Sequence, residues 1–504
     1  MSVLRITFPK ASFAEEEAAL KGLELAFSLA REDSVVILSP GAEAAASGYA
    51  VTSFLYTSPI TGSLTLGYAP LNAGYALRAE GIDAVVLSGR SLVLSLLSFK
   101  DRSVREVPRS RDMGPRQFAA YVRQEPSDTV LSVGPAALNG SVHASLGFGD
   151  GEVSAPGLGT VLARMGIKGF LFPGAAEPER KKRGHWLSRK AREYLKEGER
   201  VLIGQDLRLG ALPVRGWSAR KDPRASFFDS KAAIGKARFP GLAEAEALGT
   251  NLGLFNEEEV LELSERVYES GIDLLYAGAV LASGGAGREE RLSLIRDMAK
   301  GARTGSGVLL SERGLPFSLD LRGSFPEAIA AAYELPSVLL SSRLFPSKPL
   351  SGKRSAELML YETVFGYGLL SEGYSPEYAL VSYWGRFPAF LYRVPLVTTL
   401  PLFFCGRERL RTGLSVLDRL ERGPYRLPGA FRLNPVSAYD NRTVRETGLL
   451  SWYRLQKARL RRGLKVMSEK TSKPSGDSDA AVGPEEDLGL EGEPGLSRKR
   501  PSLS

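Results

Sequence analysis

Few side chains in this sequence could carry out chemistry by the usual routes. Histidine occurs twice, at His143 and His185, and cysteine once, at Cys405. A cysteine-ligated iron–sulfur cluster takes about four thiolates, so the chain cannot hold one by itself. The sequence has no zinc-ligand spacing, no Walker A loop and no nucleophile elbow, and we expect no protein-held metal. Cys405, between Phe404 and Gly406, reads as a buried structural thiol. His143, in Ser141-Val142-His143-Ala144, reads as a partly buried structural histidine, and His185, beside Trp186 in a basic helix start, as a surface one. Glu244 and Glu246 are spaced for acid–base work, but their alanine-rich surroundings suit an exposed helix start. The remaining signal is Gly157-Leu158-Gly159, a tight turn opening a short helix that leads into a strand. Such a turn lets backbone N–H groups approach a phosphate, although a lone G-x-G is more often a plain turn.

The elements that must position these residues change character along the chain. Residues 1–175 alternate short β-rich runs with glycine turns, and strands are expected at 35–38, 51–56, 84–87, 92–99, 130–133 and 168–172, with residues 1–10 also strand-like. The run Ala84-Val85-Val86-Leu87 is apolar throughout, so both of its faces should be buried. Helical pieces are expected between the strands at 13–31, 71–80 and 115–124. From about Gly184 helical periodicity takes over, with helices at 187–197, 257–270, 292–303, 326–333, 355–365 and 407–421. The helix at 257–270 is the best marked. Asn256 caps it, Glu257, Glu258 and Glu259 fill its first turn, Val260, Leu261, Val267 and Tyr268 share a face, and Gly271 can end it.

Length and composition set the outer limits. A chain of 504 residues exceeds what one core supports and implies two to four domains. The apolar fraction of 43% and charged fraction of 24% are ordinary for a soluble globular protein. The most apolar run, 390–405, is broken by Arg393, Pro395 and Pro401, so no membrane span is expected. A single cysteine and the lack of a signal-peptide core suit a cytoplasmic protein. The net charge of +9 is small for this length; of the basic runs 180–183, 189–190 and 454–465, the second and third sit in helix-like sequence and read as solvated faces, so nucleic acid is not expected as a partner. Residues 468–504 lack aromatics and are rich in Ser, Gly, Pro, Asp and Glu, which predicts a disordered tail.

Two groups of segments taken in order carry more information. The first is Thr57-Ser58-Pro59-Ile60-Thr61-Gly62, then Asn72-Ala73-Gly74-Tyr75, then Gly81-Ile82-Asp83-Ala84-Val85-Val86-Leu87-Ser88-Gly89. The second is Val133-Gly134-Pro135-Ala136, then Gly157-Leu158-Gly159, then Ile167-Lys168-Gly169-Phe170. Their order and spacing resemble the aldehyde:ferredoxin oxidoreductase family of tungsten-pterin enzymes. Leu248-Gly249-Thr250-Asn251-Leu252-Gly253, Ser270-Gly271-Ile272-Asp273, Asp320-Leu321-Arg322-Gly323 and Trp452-Tyr453-Arg454-Leu455 extend the resemblance over about residues 1–465. It implies an α+β fold, with an N-terminal mixed, saddle-like β-sheet domain followed by mostly α-helical domains. The expected boundaries are 1–183 for a β-rich pterin-cradle-like domain, 184–330 and 331–467 for two helical domains, and 468–504 for the tail. By the resemblance, Gly157, Gly159 and Asp273 are the residues that would face a pterin if one is bound.

The departures from the family pattern shape the functional expectation. The family's two phosphate-contacting arginines align with Val51 and Ala155, and small donor-bearing residues of its turns align with Tyr68, Pro70 and Pro156. Losing two guanidinium groups removes charge-assisted contacts to an anionic cofactor, and each proline removes an N–H donor. The cysteine stretch that the resemblance places near 233–241 is absent, since Gly235-Lys236-Ala237-Arg238-Phe239-Pro240 has no cysteine. These changes imply a catalytically degenerate relative without a 4Fe-4S cluster or resident pterin, serving as a binding or structural partner of a catalytic paralogue or as a homodimer. The alternative is an active tungsten- or molybdenum-pterin aldehyde oxidoreductase that uses a separate iron–sulfur subunit, with Arg78, Arg164 or Arg322 supplying the missing charge. A third reading is a ligand or nucleic-acid binder that uses the emptied cleft and the basic runs.

Overall fold

The computed structural model describes residues 1–47, 50–69, 72–148, 151–152, 155, 157–174, 257–284, 287–301, 352–375, 406–421 and 449–471, with short pieces at 220–221, 232–234, 237–239, 247–249, 252 and 254. The fold is α+β. Two compact units are present, Met1–Arg461 and Arg462–Ser504; the described residues of the second, 462–471, are helical.

Two six-stranded mixed sheets dominate the N-terminal part. The first contains β1 (Ser2–Thr7), β2 (Ser12–Glu17), β3 (Val35–Leu38), β4 (Thr52–Thr57), β5 (Leu64–Ala69) and β6 (Ile82–Ser88), in the order β2-β1-β6-β3-β4-β5. The second contains β7 (Ser95–Ser98), β8 (Ser103–Glu106), β9 (Thr129–Val133), β10 (Leu146–Phe148), β11 (Gly151–Glu152) and β12 (Ile167–Phe172), in the order β11-β10-β9-β12-β7-β8. Each sheet has one parallel pair, β1 with β6 and β7 with β12, and is otherwise antiparallel. The central strands carry continuous apolar runs because both faces are covered: all four residues of β3 are buried, as are Ala84 to Leu87 of β6.

Short helices connect the strands: α1 (Gly22–Leu29), α2 (Ala42–Ser47), α3 (Asn72–Ala79), α4 (Pro115–Val122), α5 (Pro135–Leu138) and α6 (Leu158–Arg164). The helical part follows as α7 (Glu257–Ser270), α8 (Leu274–Gly284), α9 (Arg288–Ala299), α10 (Gly352–Ser371), α11 (Arg407–Glu421) and α12 (Leu449–Thr471). One apolar core runs from Leu4, Ile6 and Phe54 in the first sheet through Val133 and Phe170 in the second to Ile272 between α7 and α8, Leu281 of α8 and Ile295 of α9. Among the described residues no helix is long and apolar enough to cross a membrane.

Several expected elements differ. Residues 13–31 do not form one helix. Residues 12–17 instead pair antiparallel with β1, Ser2 opposite Glu17 through Thr7 opposite Ser12, and only Gly22–Leu29 is helical. The acid-rich run suits the sheet edge because Arg5 reaches Glu16 at 2.7 Å and Arg102 reaches Glu15. The strand expected at 92–99 is reduced to Ser95–Ser98, with Leu92 and Val93 in an exposed turn. The strands β5, β8, β10 and β11 and the helix α8 were not expected from periodicity. Helices 257–270 and 407–421 form over the expected residues. The helices expected at 187–197 and 326–333, the cap Asn256, and residues His185, Glu244, Glu246 and Cys405 lie outside the described residues.

Candidate functional site

Two of the three residues singled out by the family resemblance, Gly159 and Asp273, meet one short segment, 143–145, although they are far apart in sequence, and Gly157 lies beside Val142 and Pro59. On one side of this segment lies the corner between α7 and α8. The Asp273 N–H donates to the His143 carbonyl at 2.9 Å, the Ser145 N–H donates to the Gly271 carbonyl at 2.9 Å, and Ala144 and Ile272 form an antiparallel bridge. On the other side lies the start of α6, where the Gly159 N–H donates to the Ala144 carbonyl at 3.1 Å and the Thr160 hydroxyl donates to the Ser141 carbonyl at 2.6 Å.

Close approach explains the glycines. A Cβ on Gly159 would stand 2.2 Å from the Ser145 carbonyl oxygen, so any side chain there would push α6 off the segment. Gly157 precedes α6 with φ +81°, which disfavours a side chain, and packs against Pro59 of the β4–β5 turn. Gly134 and Gly271 meet backbone to backbone, since a Cβ on Gly134 would lie 2.6 Å from the Gly271 Cα. Lys168, fully buried on β12, secures this contact from below. Its ammonium donates to the Val133 carbonyl at 2.8 Å and the Met113 carbonyl at 2.7 Å, and lies 5.4 Å from the Phe118 ring centre. Burial draws the Lys168 pKa down to about 8, so at neutral pH the group keeps the proton those carbonyls require.

Asp273 has a definite local task. Its Oδ1 accepts the Tyr276 N–H at 2.8 Å and its carbonyl accepts the Ala277 N–H at 2.9 Å, the pattern of a helix N-cap on α8. Tyr56 of β4 is fully buried. Burial, and then the Asp273 carboxylate, push its hydroxyl well above its ordinary pKa and keep it protonated. His143 is buried and stacks on Tyr276 with ring centres 3.6 Å apart and planes 5° from parallel. Its Nδ1 is buried without a hydrogen-bond partner among the described residues, and burial pushes its pKa down to about 4, so it is neutral at pH 7. Neither Tyr56 nor Tyr276 stood out in the sequence. Both sit in apolar runs whose spacing signals only core.

The positions that the resemblance aligns with the family's phosphate contacts are apolar and bonded within the protein. Val51 is buried, and its N–H donates to the Gly373 carbonyl at 2.9 Å in the turn after α10. Ala155 is also buried, and its carbonyl accepts the Leu158 N–H at 3.1 Å. The N–H groups of Leu158 and Gly159 that open α6 are thus engaged inside the protein. Arg78 is bound to Asp83 at 2.5 Å, Arg164 is exposed in the last turn of α6, and Arg322, Pro70 and Pro156 lie outside the described residues. Where the family's cysteine stretch would fall, Ala232–Ile234 and Ala237–Phe239 pair as antiparallel strands, Ala233 opposite Arg238. No group of three or more His, Cys, Asp or Glu residues is placed to hold a metal among the described residues.

Comparison with known proteins agrees with this arrangement of elements. Residues 24–174 match the family model "Aldehyde ferredoxin oxidoreductase, N-terminal domain". No curated protein matches the chain. Among solved structures, the active-site complex BamBC of benzoyl coenzyme A reductase, bound to 1,5-dienoyl-CoA, superposes with a TM-score of 0.61. The match covers 93% of this chain and 97% of that chain at 14% identity, a likeness of fold. Through residues 24–174 the chain is related to the aldehyde ferredoxin oxidoreductase family.

Proposed function

We propose that this protein is a catalytically degenerate relative of the aldehyde ferredoxin oxidoreductases, keeping the scaffold as a binding or structural subunit. One observation carries the reading: the two positions aligned with the family's phosphate-contacting arginines, Val51 and Ala155, are buried apolar residues. A pterin with several phosphate charges needs cations or free N–H donors, and the backbone there is committed to internal hydrogen bonds. Gly157, Gly159 and Asp273 then serve to join α6, the 143–145 segment and α8, not to hold a cofactor. With one cysteine in the chain, an iron–sulfur cluster would have to come from a catalytic or iron–sulfur partner subunit.

A second reading has one observation in its favour. The solved structure whose match covers 93% of this chain is an active-site complex with bound 1,5-dienoyl-CoA. On that reading the chain is an active tungsten- or molybdenum-pterin subunit, and Arg164 or Arg322 supplies the charge. Elemental analysis for tungsten, molybdenum and iron, with a pterin fluorescence assay on the same sample, separates the two. We expect neither metal nor pterin in protein purified from cells that make the cofactor. Near-stoichiometric tungsten or molybdenum without iron would overturn the degenerate reading.

A further inference from the structure

Of the six asparagines in the chain, only Asn139 is followed by glycine. An asparagine is chemically labile where the next backbone nitrogen can reach its side-chain amide, and glycine, with no Cβ, shields that nitrogen least. Asn139 and Gly140 are both exposed, at the end of α5, and Gly140 has φ +86°.

In the folded turn the pair is held back from reacting. Asn139 has ψ +7°, which keeps the Gly140 nitrogen out of the plane that closure onto the side chain requires. The Gly140 N–H donates to the Ala137 carbonyl at 3.1 Å, and the Asn139 Nδ2 donates to the Ala299 carbonyl at 2.9 Å. Ala299 is the last residue of α9. Just beyond it Gly301, with φ +75°, lies so close that a Cβ there would stand 2.3 Å from the Asn139 carbonyl oxygen. The turn therefore has to part from the end of α9 before the nitrogen can attack.

We infer that Asn139-Gly140 is a site of spontaneous deamidation, gated by the docking of the end of α9, which turns a reversible opening into a permanent one. The Gly140 nitrogen bonds to the Asn139 Cγ and gives up its proton to water. The Cγ–Nδ2 bond breaks and ammonia leaves. Water then opens the cyclic imide at either carbonyl, giving aspartate or isoaspartate, and nothing is oxidised or reduced. Both products lose the donor that the Ala299 carbonyl accepts and put a carboxylate at the negative end of the α9 dipole. Isoaspartate also lengthens the main chain by one methylene where Gly301 leaves no room. The inference stands apart from the proposed function, because it holds whether or not the chain carries a pterin.

The test incubates the full-length protein at mildly alkaline pH beside a free peptide of residues 135–145, and follows both by peptide mass mapping. Asn139 should convert ahead of the other five asparagines, about three- to twentyfold more slowly than in the peptide. Gly301→Ala, whose Cβ would push the end of α9 off the turn, should speed conversion about threefold or more. Low guanidinium chloride should do the same for the wild type, and it decides the matter if Gly301→Ala does not fold. Asn139→Asp should reproduce the lowered Tm of the aged protein. A wild-type protein unconverted at Asn139 after about twenty peptide half-lives overturns the inference. So does one that converts as fast as the peptide, or whose rate is indifferent to both Gly301→Ala and guanidinium.

Discussion

His143 shows how burial changes the meaning of a residue. Read in sequence it is one of two histidines available for chemistry; in the fold its ring is stacked on Tyr276 and its Nδ1 lacks a partner among the described residues. Its folded pKa of about 4 lies below the ordinary 6.5, so below 6.5 the unfolded chain takes up a proton that the folded one refuses. Stability is therefore complete above 6.5 and is lost as pH falls towards 4, by about 2 kcal/mol between pH 7 and pH 5. Urea denaturation midpoints at the two pH values measure this, and His143→Phe should flatten the loss. The second residue-scale prediction concerns Gly159. An alanine there would place its Cβ 2.2 Å from the Ser145 carbonyl oxygen, costing about 1–3 kcal/mol. Calorimetry should show a lower Tm for Gly159→Ala, and an unchanged Tm would refute the close-packing account of this turn.

At the scale of elements, the basic helix α12 is tied to α11 by ion pairs at Lys457 and Arg461. Lys457, only 10% exposed at its side chain, is bound to Asp418 at 2.8 Å and also to Glu421, and Arg461 binds Asp418 at 2.6 Å. The Tyr453 hydroxyl donates to Glu421 at 2.6 Å, and burial, then the Glu421 charge, raise its pKa. Lys457→Met would leave two carboxylates facing an apolar side chain, costing about 3 kcal/mol. Thermal melts of Lys457→Met and of the Asp418→Asn, Glu421→Gln, Lys457→Met triple variant should differ, with the triple variant recovering much of the loss. Equal melting temperatures would mean the pairs contribute little.

For the whole molecule, this pairing bears on what the net charge of +9 does. Of the six basic residues in the run 454–465, Lys457 and Arg461 are neutralised by acids of α11, and Arg454, Arg459, Arg462 and Lys465 are exposed, a small cationic patch for a chain of this length. Fluorescence anisotropy with labelled single- and double-stranded oligonucleotides should show no binding tighter than about 10 µM at physiological salt. A steep salt slope would revive the nucleic-acid reading and point to 180–183, which lie outside the described residues. Residues 24–174 match the N-terminal domain of the aldehyde ferredoxin oxidoreductases, and the likeness of fold to the solved structure extends over 93% of the chain.

Local sequence was enough for the strands with long apolar runs, such as Val35–Leu38 and Ile167–Phe172, and for the helices at 257–270 and 407–421, because burial on both faces or on one helical stripe leaves a periodic trace. It was also enough to exclude a self-held iron–sulfur cluster, which is a matter of counting thiols. It misjudged 12–17 because an acid-rich run reads as helix until its arginine partners, Arg5 and Arg102, are brought beside it. It passed over β5 and β10, whose identity depends on pairing with strands distant in sequence. The site shows the same division. The grouping of Gly157, Gly159 and Asp273 rested on family order alone; in the fold Gly159 and Asp273 bond to the adjacent residues Ala144 and His143, and Gly157 packs on Pro59. What they do was decided by tertiary contact, because a glycine's use depends on which backbone approaches it and a carboxylate's on which N–H it caps.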